Sequence, residues 1–474
     1  MTTRWLFVCS CIALVTSAFT FSLHGDVMQD MGKDFNFTQE QNGGIGQAIF
    51  YGMALSMLIG GFVCDAFGIK NILFLACASH LVGGLGMIFV RQFAGTGAEE
   101  AERWLYFSAM IMGAGNGLTE VGINPLVATL YPRDKTHYLN VLHAWWPGGL
   151  VLGGLLAYAM RHYVFGTTRG ELFGFELWQS SLFLIVIPAI VYGIMLVPSK
   201  FPATERVQSG VSTGEMLSQV LRPMFLLWAF CMLLTAATEL GPQKWQNSVL
   251  TNTAHVSGTM ILVYTSGMMF FLRHFAGPIA HRLSPVGMLT VSALLSGIGL
   301  YLLSFADSPV TAFAYATIYG LGIAYFWPTM LGVASERFPK GGALILALMG
   351  TAGNISIAYV LPQMGKIADT YSVNYVQSQQ PDAVPKILKV GANGLSSGLD
   401  EQKIDQLQKE NPGDPALAVA TAARNRGFTM AFRWVSLLPA ALVLIFGMIA
   451  LYDRARGGYR PELITEAGAR TAGH

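Results

Sequence analysis

Three acidic side chains interrupt stretches that are otherwise apolar, and they have the clearest capacity for chemistry. Asp26, Glu120 and Glu239 each lie within such a stretch. A charged side chain in the hydrocarbon core of a bilayer costs at least a few kcal/mol, so acidic residues kept there are functional candidates. A carboxyl group that is partly removed from water can bind and release a proton as its surroundings change. We therefore expect Asp26 and Glu120 to bind a coupling ion.

Amide, imidazole and aromatic side chains share helical faces with these carboxylates, because residues three or four apart lie on one face of a helix. Three such stripes are present: Asn116, Glu120 and Asn124; Glu239, Gln243 and Asn247; Asn140, His143 and Trp146. Polar groups beside aromatic rings suit a sugar, whose hydroxyls need hydrogen bonds and whose C–H face stacks on a ring. The residues expected to contact such a solute are Asn124, His143, Trp146, Glu120, Gln243 and Glu239.

Several of these residues also have a purely structural explanation. Asn124 could fill the backbone gap that Pro125 leaves in a helix. His143 could be a hydrogen-bonded core histidine, and Glu239 could lie in water at the outer mouth. Arg273 either pairs with a carboxylate or belongs to the cytoplasmic gate.

The composition places the whole chain in a membrane. It is 53% hydrophobic, has a mean hydropathy of +0.48 and is only 12% charged, whereas soluble domains carry about 25% charged residues. No β-barrel alternation appears, and helices satisfy the buried backbone. The apolar segments are 5–31, 41–64, 71–90, 104–131, 138–161, 178–197, 223–247, 257–281, 285–305, 310–333, 342–369 and 429–452.

These segments predict an all-α membrane protein with twelve transmembrane helices in two six-helix bundles. The boundaries expected from the sequence are a first bundle at 1–197, a linker at 198–222, a second bundle at 223–452 with a polar outer loop at 370–428, and a tail at 453–474. We interpret the first segment as a helix and not as a signal peptide. The loop is expected to be a flexible linker, or else a lid or docking element, with an amphipathic helix near 400–410.

The distribution of Lys and Arg predicts that both termini are cytoplasmic. With the N-terminus inside, the cytoplasmic side holds fourteen of these residues and the short outer loops hold six, Lys244 among them. Positive residues accumulate on the cytoplasmic side of membrane proteins. We expect a cell membrane location, in a bacterial inner membrane, and a monomer.

Other classes of function find little support in the sequence. The net charge is +2, which suggests no nucleic-acid partner. The five cysteines lie in apolar segments without metal-binding spacing, so we predict no metal or cofactor. No HExxH or GxSxG motif and no phosphate-binding Gly-Lys-Ser/Thr motif occurs, so a membrane enzyme is not expected.

A repeated loop resembles the signature of the major facilitator superfamily. The sequence GGFVCDAFGIK supplies Gly61, Asp65, Gly68 and Lys70, and GPIAHRLSP repeats part of it with Ser284 in the place of Gly68. In that signature the glycines permit a tight turn, and the aspartate faces a helix N-terminus or a basic residue and latches the two halves together. The usual Arg after the aspartate is replaced here by alanine.

A narrower resemblance is to the fucose–proton symporter family. GNGLTEVGINPLVATLYP carries Glu120 before Asn124, and HGDVMQDM carries Asp26. YLNVLHAWWPGG has His143 where the family has glutamine, and FLRHFAG supplies Arg273. The resemblance implies symport of a hexose with protons or sodium by alternating access, with Arg273 as a gating or structural residue. The alternatives are a carrier of another small polar solute, such as an organic acid or drug, and a non-transporting nutrient sensor.

Overall fold

The computed structural model describes residues 2–35, 37, 39–95, 97–160, 171–172, 174–390, 396–462 and 464. Helices dominate this part of the chain. They are α1 Thr3–Asp34, α2 Gln39–Phe67, α3 Ile69–Ile88, α4 Val90–Ala94, α5 Ala98–Leu130, α6 Lys135–Ala159, α7 Leu177–Leu196, α8 Glu205–Gln208, α9 Thr213–Val220, α10 Pro223–Thr253, α11 Gly258–His274, α12 Ala276–Leu283, α13 Pro285–Leu303, α14 Pro309–Ile323, α15 Phe326–Arg337, α16 Gly342–Gln379, α17 Val384–Ile387, α18 Glu401–Glu410, α19 Pro415–Val435 and α20 Leu437–Ala455. Two short antiparallel hairpins pair β1 Glu171–Leu172 with β2 Phe175–Glu176 and β3 Leu388–Val390 with β4 Ser396–Leu399.

Nine stretches of the described chain are long and apolar enough to cross a membrane. Three further helices complete the predicted set of twelve. Of these, α5 and α6 are long enough but less apolar, and α11 has 17 residues. The membrane fold predicted from the sequence is therefore confirmed, and the least apolar crossing helices are those that carry Glu120, Asn124 and His143.

The helices pack as two six-helix bundles. In the first bundle, α5 lies against α2 and α3, and α1 lies against α6 and α7. In the second bundle, α13 packs on α14 and α20, while α16 packs on α10 and α19. The bundles meet where α16 packs on α2 and α5, and where α6 packs on α11, α12 and α15. Side chains on these helices therefore join the bundles.

Some helices end or break at positions that hydropathy alone did not indicate. The segment predicted at 257–281 is divided between α11 and α12, with Phe275 at the join, and the one at 310–333 is divided between α14 and α15. The final apolar segment, 429–452, is divided between α19 and α20 with Ser436 at the join, and α19 begins earlier, at Pro415, with Asp414 as its N-cap. These breaks place backbone carbonyls at helix ends within the bundle, where side chains can bind them.

The segment predicted as a flexible loop at 370–428 is instead folded over its described residues. Helix α16 continues to Gln379, and the chain then forms α17, the hairpin of β3 and β4, and α18, which confirms the helix expected near 400–410. The members of this segment share a small apolar core of their own: Val373, Val376, Ala383, Ile387, Leu388, Ile404, Ala416, Ala420 and Ala423. Burial of that core accounts for the order of the segment.

The repeated loop shows the backbone geometry that its sequence predicted. Gly68 has φ 83° between α2 and α3, and Ser284 has φ 64° at the equivalent join between α12 and α13. Positive φ costs a residue with a Cβ more than it costs glycine. The Ser284 hydroxyl accepts a hydrogen bond from the Gly287 amide at 3.1 Å, which caps α13 and offsets part of that cost.

Candidate functional site

The first half of the site is a buried polar cluster between α5 and α6. The Asn124 amide donates to Glu120 Oε2 at 2.7 Å, and its Oδ1 lies 2.9 Å from His143 Nε2. The same imidazole nitrogen is 3.8 Å from Glu120 Oε2. All three side chains are at most 4% exposed. The structure therefore joins a carboxylate, an amide and an imidazole into one hydrogen-bonded group.

Asn124 does not serve the backbone gap made by Pro125. The carbonyl that loses its partner belongs to Val121, four residues before the proline. The Cys64 thiol lies 3.7 Å from that oxygen. The Asn124 side chain is thus free to bridge Glu120 and His143.

The second half of the site is centred on Arg273, which is 2% exposed. Its Nη2 lies 3.4 Å from Glu239 Oε1, and its Nε donates at 2.6 Å to the carbonyl of Ala324, at the end of α14. Its Nη1 donates at 2.7 Å to the carbonyl of His143 in the other bundle. That carbonyl is available because Pro147, four residues later, has no N–H to donate. Of the two alternatives for Arg273, the structure shows the carboxylate pair.

Glu239 is held deep in the second bundle and not in water at an outer mouth, being 4% exposed. Its Oε2 is buried without a hydrogen-bond partner among the described residues; the Trp327 amide approaches Glu239 but does not meet hydrogen-bond geometry. Gln246, on the same face of α10, has neither side-chain polar atom paired in this part of the chain. Buried polar atoms that lack partners are unusual and mark places where a ligand or water binds.

The Tyr319 hydroxyl supports this face of α10. It donates to the carbonyls of Thr238 at 2.8 Å and Glu239 at 2.9 Å. Pro242 removes the normal partner of the Thr238 carbonyl. Pro242, four residues after Thr238, was the available signal, but the identity of the partner depends on how α14 packs.

Aromatic rings adjoin the cluster on the side of α6. Trp146 is half-buried, and its ring centroid lies 5.1 Å from that of Phe21 on α1. Phe21 is in turn 5.2 Å from Phe50 on α2. Gln243 is partly buried, and its amide nitrogen lies 3.7 Å from the Met269 sulfur. Trp146 and Gln243 therefore remain partly open beside the buried groups.

Two of the predicted polar residues have side chains outside the described part of the chain, and the predicted stripe on α5 is divided. Asp26 lies on α1 and Asn247 on α10, but both side chains fall outside the described residues. Asn116 turns away from Asn124 and binds His80 Nε2 at 2.9 Å. His80 Nδ1 lies 3.0 Å from the Tyr192 hydroxyl. The stripe on α5 thus serves two different networks.

At one end of the bundles, Asp65 forms a buried contact group that we call the Asp65 network. Asp65 Oδ2 accepts from Arg206 Nε at 2.5 Å, and Oδ1 accepts from the Thr204 hydroxyl at 2.7 Å. Gly342 begins α16 of the second bundle beside Asp65, with φ 52°. Asp65 therefore meets both a basic residue and a helix N-terminus, which favours a negative charge.

Glu336 extends the Asp65 network from the second bundle to the first. Its Oε1 accepts from the backbone amide and the hydroxyl of Thr136, at 3.1 and 2.7 Å, where α6 begins. Its Oε2 accepts from the Tyr459 hydroxyl at 2.5 Å. Burial raises the pKa of Tyr459 well above its ordinary value, so that hydroxyl keeps its proton and donates. The carboxylate thus ties α6 to the C-terminal segment.

The other signature residues support the same end of the molecule. Lys70 Nζ donates to the carbonyls of Val197 at 3.0 Å and Ser199 at 2.9 Å, just beyond α7. A Cβ added at Gly61 would lie 2.5 Å from that of Ala347. Gly61 therefore lets α2 and α16 approach closely. The described residues contain no cluster of three or more His, Cys, Asp or Glu side chains suited to a metal ion.

Comparison with known sequences gives a family and two kinds of relative. The family model described as Major Facilitator Superfamily matches residues 10–361. The chain is 24% identical to the cis,cis-muconate transport protein of Acinetobacter baylyi over 78% of its length and 87% of that protein's. It is 22% identical to the gentisate transporter of Corynebacterium glutamicum over 78% of its length and 88% of that protein's.

Two sugar transporters of known structure have a similar fold. The fucose:proton symporter FucP of E. coli has a TM-score of 0.68 at 14% identity, covering 95% of this chain and 99% of that one. The proton:xylose symporter XylE bound to 6-bromo-6-deoxy-D-glucose has a TM-score of 0.70 at 12% identity, covering 94% and 95%. At such identities the likeness extends to the fold alone.

Proposed function

Because this chain belongs to the major facilitator superfamily, we propose that it is a secondary active transporter that carries a hexose-type sugar together with a cation. Alternating access between the two bundles would expose the site to each side in turn. Transport, and not an enzymatic reaction, is the activity of the family and of the relatives found. The sugar and the coupling are the proposal.

The two halves of the site form one central cluster of Glu120, Asn124, His143, Glu239 and Arg273. The balance of charge within this cluster is the observation that carries the proposal. Its guanidinium, Arg273, is already paired with Glu239, and its other carboxylate, Glu120, is bonded to Asn124. No cation in this cluster is left to neutralise an anionic group of a substrate. Amide, imidazole and carboxylate groups suit hydroxyl donors and acceptors, and the half-buried Trp146 offers a stacking surface.

We assign the coupling between ion and sugar transport to the carboxylates of Glu120 and Asp26. Glu120 lies within hydrogen-bonding reach of the groups expected to hold the sugar, so a change in its protonation would alter Asn124 and His143 directly. We assign Glu120 as the link between ion and sugar, and Asp26 as the proton site from its place in α1 and its resemblance to the symporter family. Sodium is the rival ion, for which the same carboxylates would be ligands.

Uptake into proteoliposomes tests both assignments. With an imposed pH gradient and no sodium, the unmodified chain should accumulate a hexose. Asp26→Asn should abolish accumulation but spare exchange between equal pools, and Glu120→Gln should weaken sugar binding as well. Full accumulation by the Asp26→Asn variant would refute the proton assignment. Sugar binding without uptake under any gradient would favour a nutrient sensor.

An organic acid is the second candidate substrate, because the muconate and gentisate transporters are relatives in sequence. The discriminating experiment is uptake of each compound alone: a hexose should be accumulated, and muconate and gentisate should not, if the sugar proposal holds. If the acids are accumulated and no hexose is, the chain is an organic-acid carrier.

The topology remains part of the proposal. We place both termini and the Asp65 network on the cytoplasmic side of a cell membrane, in a bacterial inner membrane, with bundles at 1–197 and 223–452 joined by 198–222. A tag at the C-terminus should then be inaccessible from outside intact cells. Labelling of that tag without permeabilisation would reverse the orientation.

A further inference from the structure

Lys244 is the cation that the central cluster does not use. The sequence suggested an outer loop for it, but it lies within α10, inside the apolar stretch Pro223–Gln246. Its side chain is exposed, and its ammonium lies 6.0 Å from the ring centroid of Phe50 on the other bundle. Among the described residues it forms no salt bridge. Helix dipoles and aromatic faces stabilise a cation only modestly.

The surroundings of Lys244 contain a second unpaired polar group. His24 on α1 is close enough for its charge to interact with that of Lys244, and the imidazole is 4% exposed. Its Nε2 is buried without a hydrogen-bond partner in the described part of the chain. The ammonium, which forms no salt bridge among the described residues, and this imidazole nitrogen are both able to bind an oxygen atom.

A wall of aromatic rings connects Lys244 with the central cluster. Phe50 lies beneath the ammonium, Phe21 adjoins Phe50 at 5.2 Å, and Trp146 adjoins Phe21 at 5.1 Å. Trp146 is three residues from His143 on α6. Along α10, Lys244 is five residues from Glu239, about 7.5 Å of helix rise, and points about 140° away from it around the helix axis. Lys244 therefore faces Phe50 of the first bundle, and the aromatic rings are what connect its ammonium with the cluster.

We propose that the substrate is an acidic sugar, a hexose that carries a carboxylate, and that Lys244 binds this carboxylate. The inference rests on the proposed sugar function and adds the charge of the substrate to it. The central cluster binds the hydroxyls, the aromatic wall takes the C–H face, and His24 binds an oxygen near the carboxylate. A charged residue within a membrane-spanning segment is a functional site by default. A carboxylate satisfies Lys244 with a charge-assisted hydrogen bond.

Ligand binding to the purified full chain tests the proposal, measured by calorimetry at one fixed pH. The three probes are glucuronate, glucose and cis,cis-muconate. The unmodified chain should bind glucuronate at least about tenfold more tightly than glucose, the range of a hydrogen bond between charged groups. Lys244→Met should remove that difference by weakening glucuronate binding to the level of glucose, while Lys244→Arg should retain most of it.

Lys409→Met is the matched control, because Lys409 is exposed on α18, outside the membrane bundles, and its loss should change none of the three affinities. Equal affinity for glucuronate and glucose in the unmodified chain would overturn the role of Lys244 while leaving the sugar function intact. An unchanged preference in Lys244→Met would do the same. Binding of muconate with neither sugar bound would overturn the sugar function itself, and the acidic-sugar proposal with it.

Discussion

The Asp65 network and the central cluster are both buried, polar and shared between the two bundles, yet they differ in how completely their atoms are paired. Both oxygens of Asp65 and both oxygens of Glu336 accept hydrogen bonds. In the central cluster, one oxygen of Glu239 and both polar atoms of the neighbouring Gln246 have no partner among the described residues. Two buried groups of side chains therefore differ in how many of their polar atoms form hydrogen bonds.

This difference separates a structural role from a binding role. A fully paired network holds two surfaces together, and removing one member leaves its partners buried without bonds. A partly paired cluster can bind an additional molecule that supplies the missing hydrogen-bond donors and acceptors. We expect substitutions in the Asp65 network to change which side of the protein is open. Substitutions in the central cluster should change what it binds.

The largest expected effect is at Arg273, where the two roles coincide. Arg273→Leu would leave Glu239 charged and unpaired and would free the carbonyls of His143 and Ala324. Losing one partner of a buried pair costs about 3–5 kcal/mol. We expect a large loss of thermal stability in detergent together with loss of transport. The double variant Arg273→Leu/Glu239→Leu should recover stability but not transport, and a single variant as stable as the unmodified chain would contradict the buried pairing.

A smaller effect is expected from Asp65→Asn, which keeps the shape but removes the charge that Arg206 and the start of α16 face. Hydrogen bonds to charged groups contribute about 1.5–3 kcal/mol, so the bundles should separate at this end at least about tenfold more often. Ala128 is buried on α5 in the pocket that Arg206 and Gly342 also line. Because the five native cysteines are buried, labelling of an added Ala128→Cys reports the opening. Equal labelling rates with and without Asp65→Asn would show that the network does not hold the bundles together.

Tyr459→Phe should produce the same change in weaker form. It removes one hydrogen bond to Glu336 but leaves the two from Thr136, so the expected shift is about 1 kcal/mol. Labelling at Ala128→Cys should rise several-fold. The exposed Tyr452→Phe, on α20, is the matched control and should have no effect. A shift as large as that of Asp65→Asn would mean that the C-terminal segment contributes more than its single bond.

The smallest stability effect is expected from His143→Gln, which restores the residue found in the fucose–proton symporter family. Glutamine can still hydrogen-bond Asn124, so the melting temperature should stay within the range of a change below about 1 kcal/mol. The relative uptake of different hexoses should change. A large loss of stability with unchanged sugar preference would place His143 with the structural network instead.

Much of the fold could be predicted from the sequence because the bilayer requires long apolar helices. The twelve segments, the turn at Gly68 and the Ser284 repeat all follow from local patterns of hydropathy and small residues. The folded segment after α16 could not be predicted in the same way. Its core uses isolated residues such as Val376, Ile387 and Ile404, which are too widely spaced to form a periodic pattern.

The site could be predicted only in part, because spacing along the chain shows which residues share a helix face but not which helices pack together. Helical spacing placed Glu120 and Asn124 on one face, and the structure joins them. The contacts of Arg273 with His143 and Glu239 depend on how separate helices pack, which spacing within one helix does not determine. Lys244 was counted with the outer loops, although the apolar segment predicted at 223–247 contains it.

Two of the helices that carry the site are less able than α2 or α3 to enter a bilayer on their own. No 18-residue window of α5 or α6 is as apolar as those of the nine candidate spans, so we expect the translocation machinery to release them into lipid less readily. During synthesis they depend on partners that are already in place, such as α2 and α3 for α5 and α1 for α6. We therefore expect α1–α3 to assist the membrane insertion of α5 and α6. Substitutions that disrupt the packing of α1–α3 should lower the amount of protein in the membrane before they affect its transport activity.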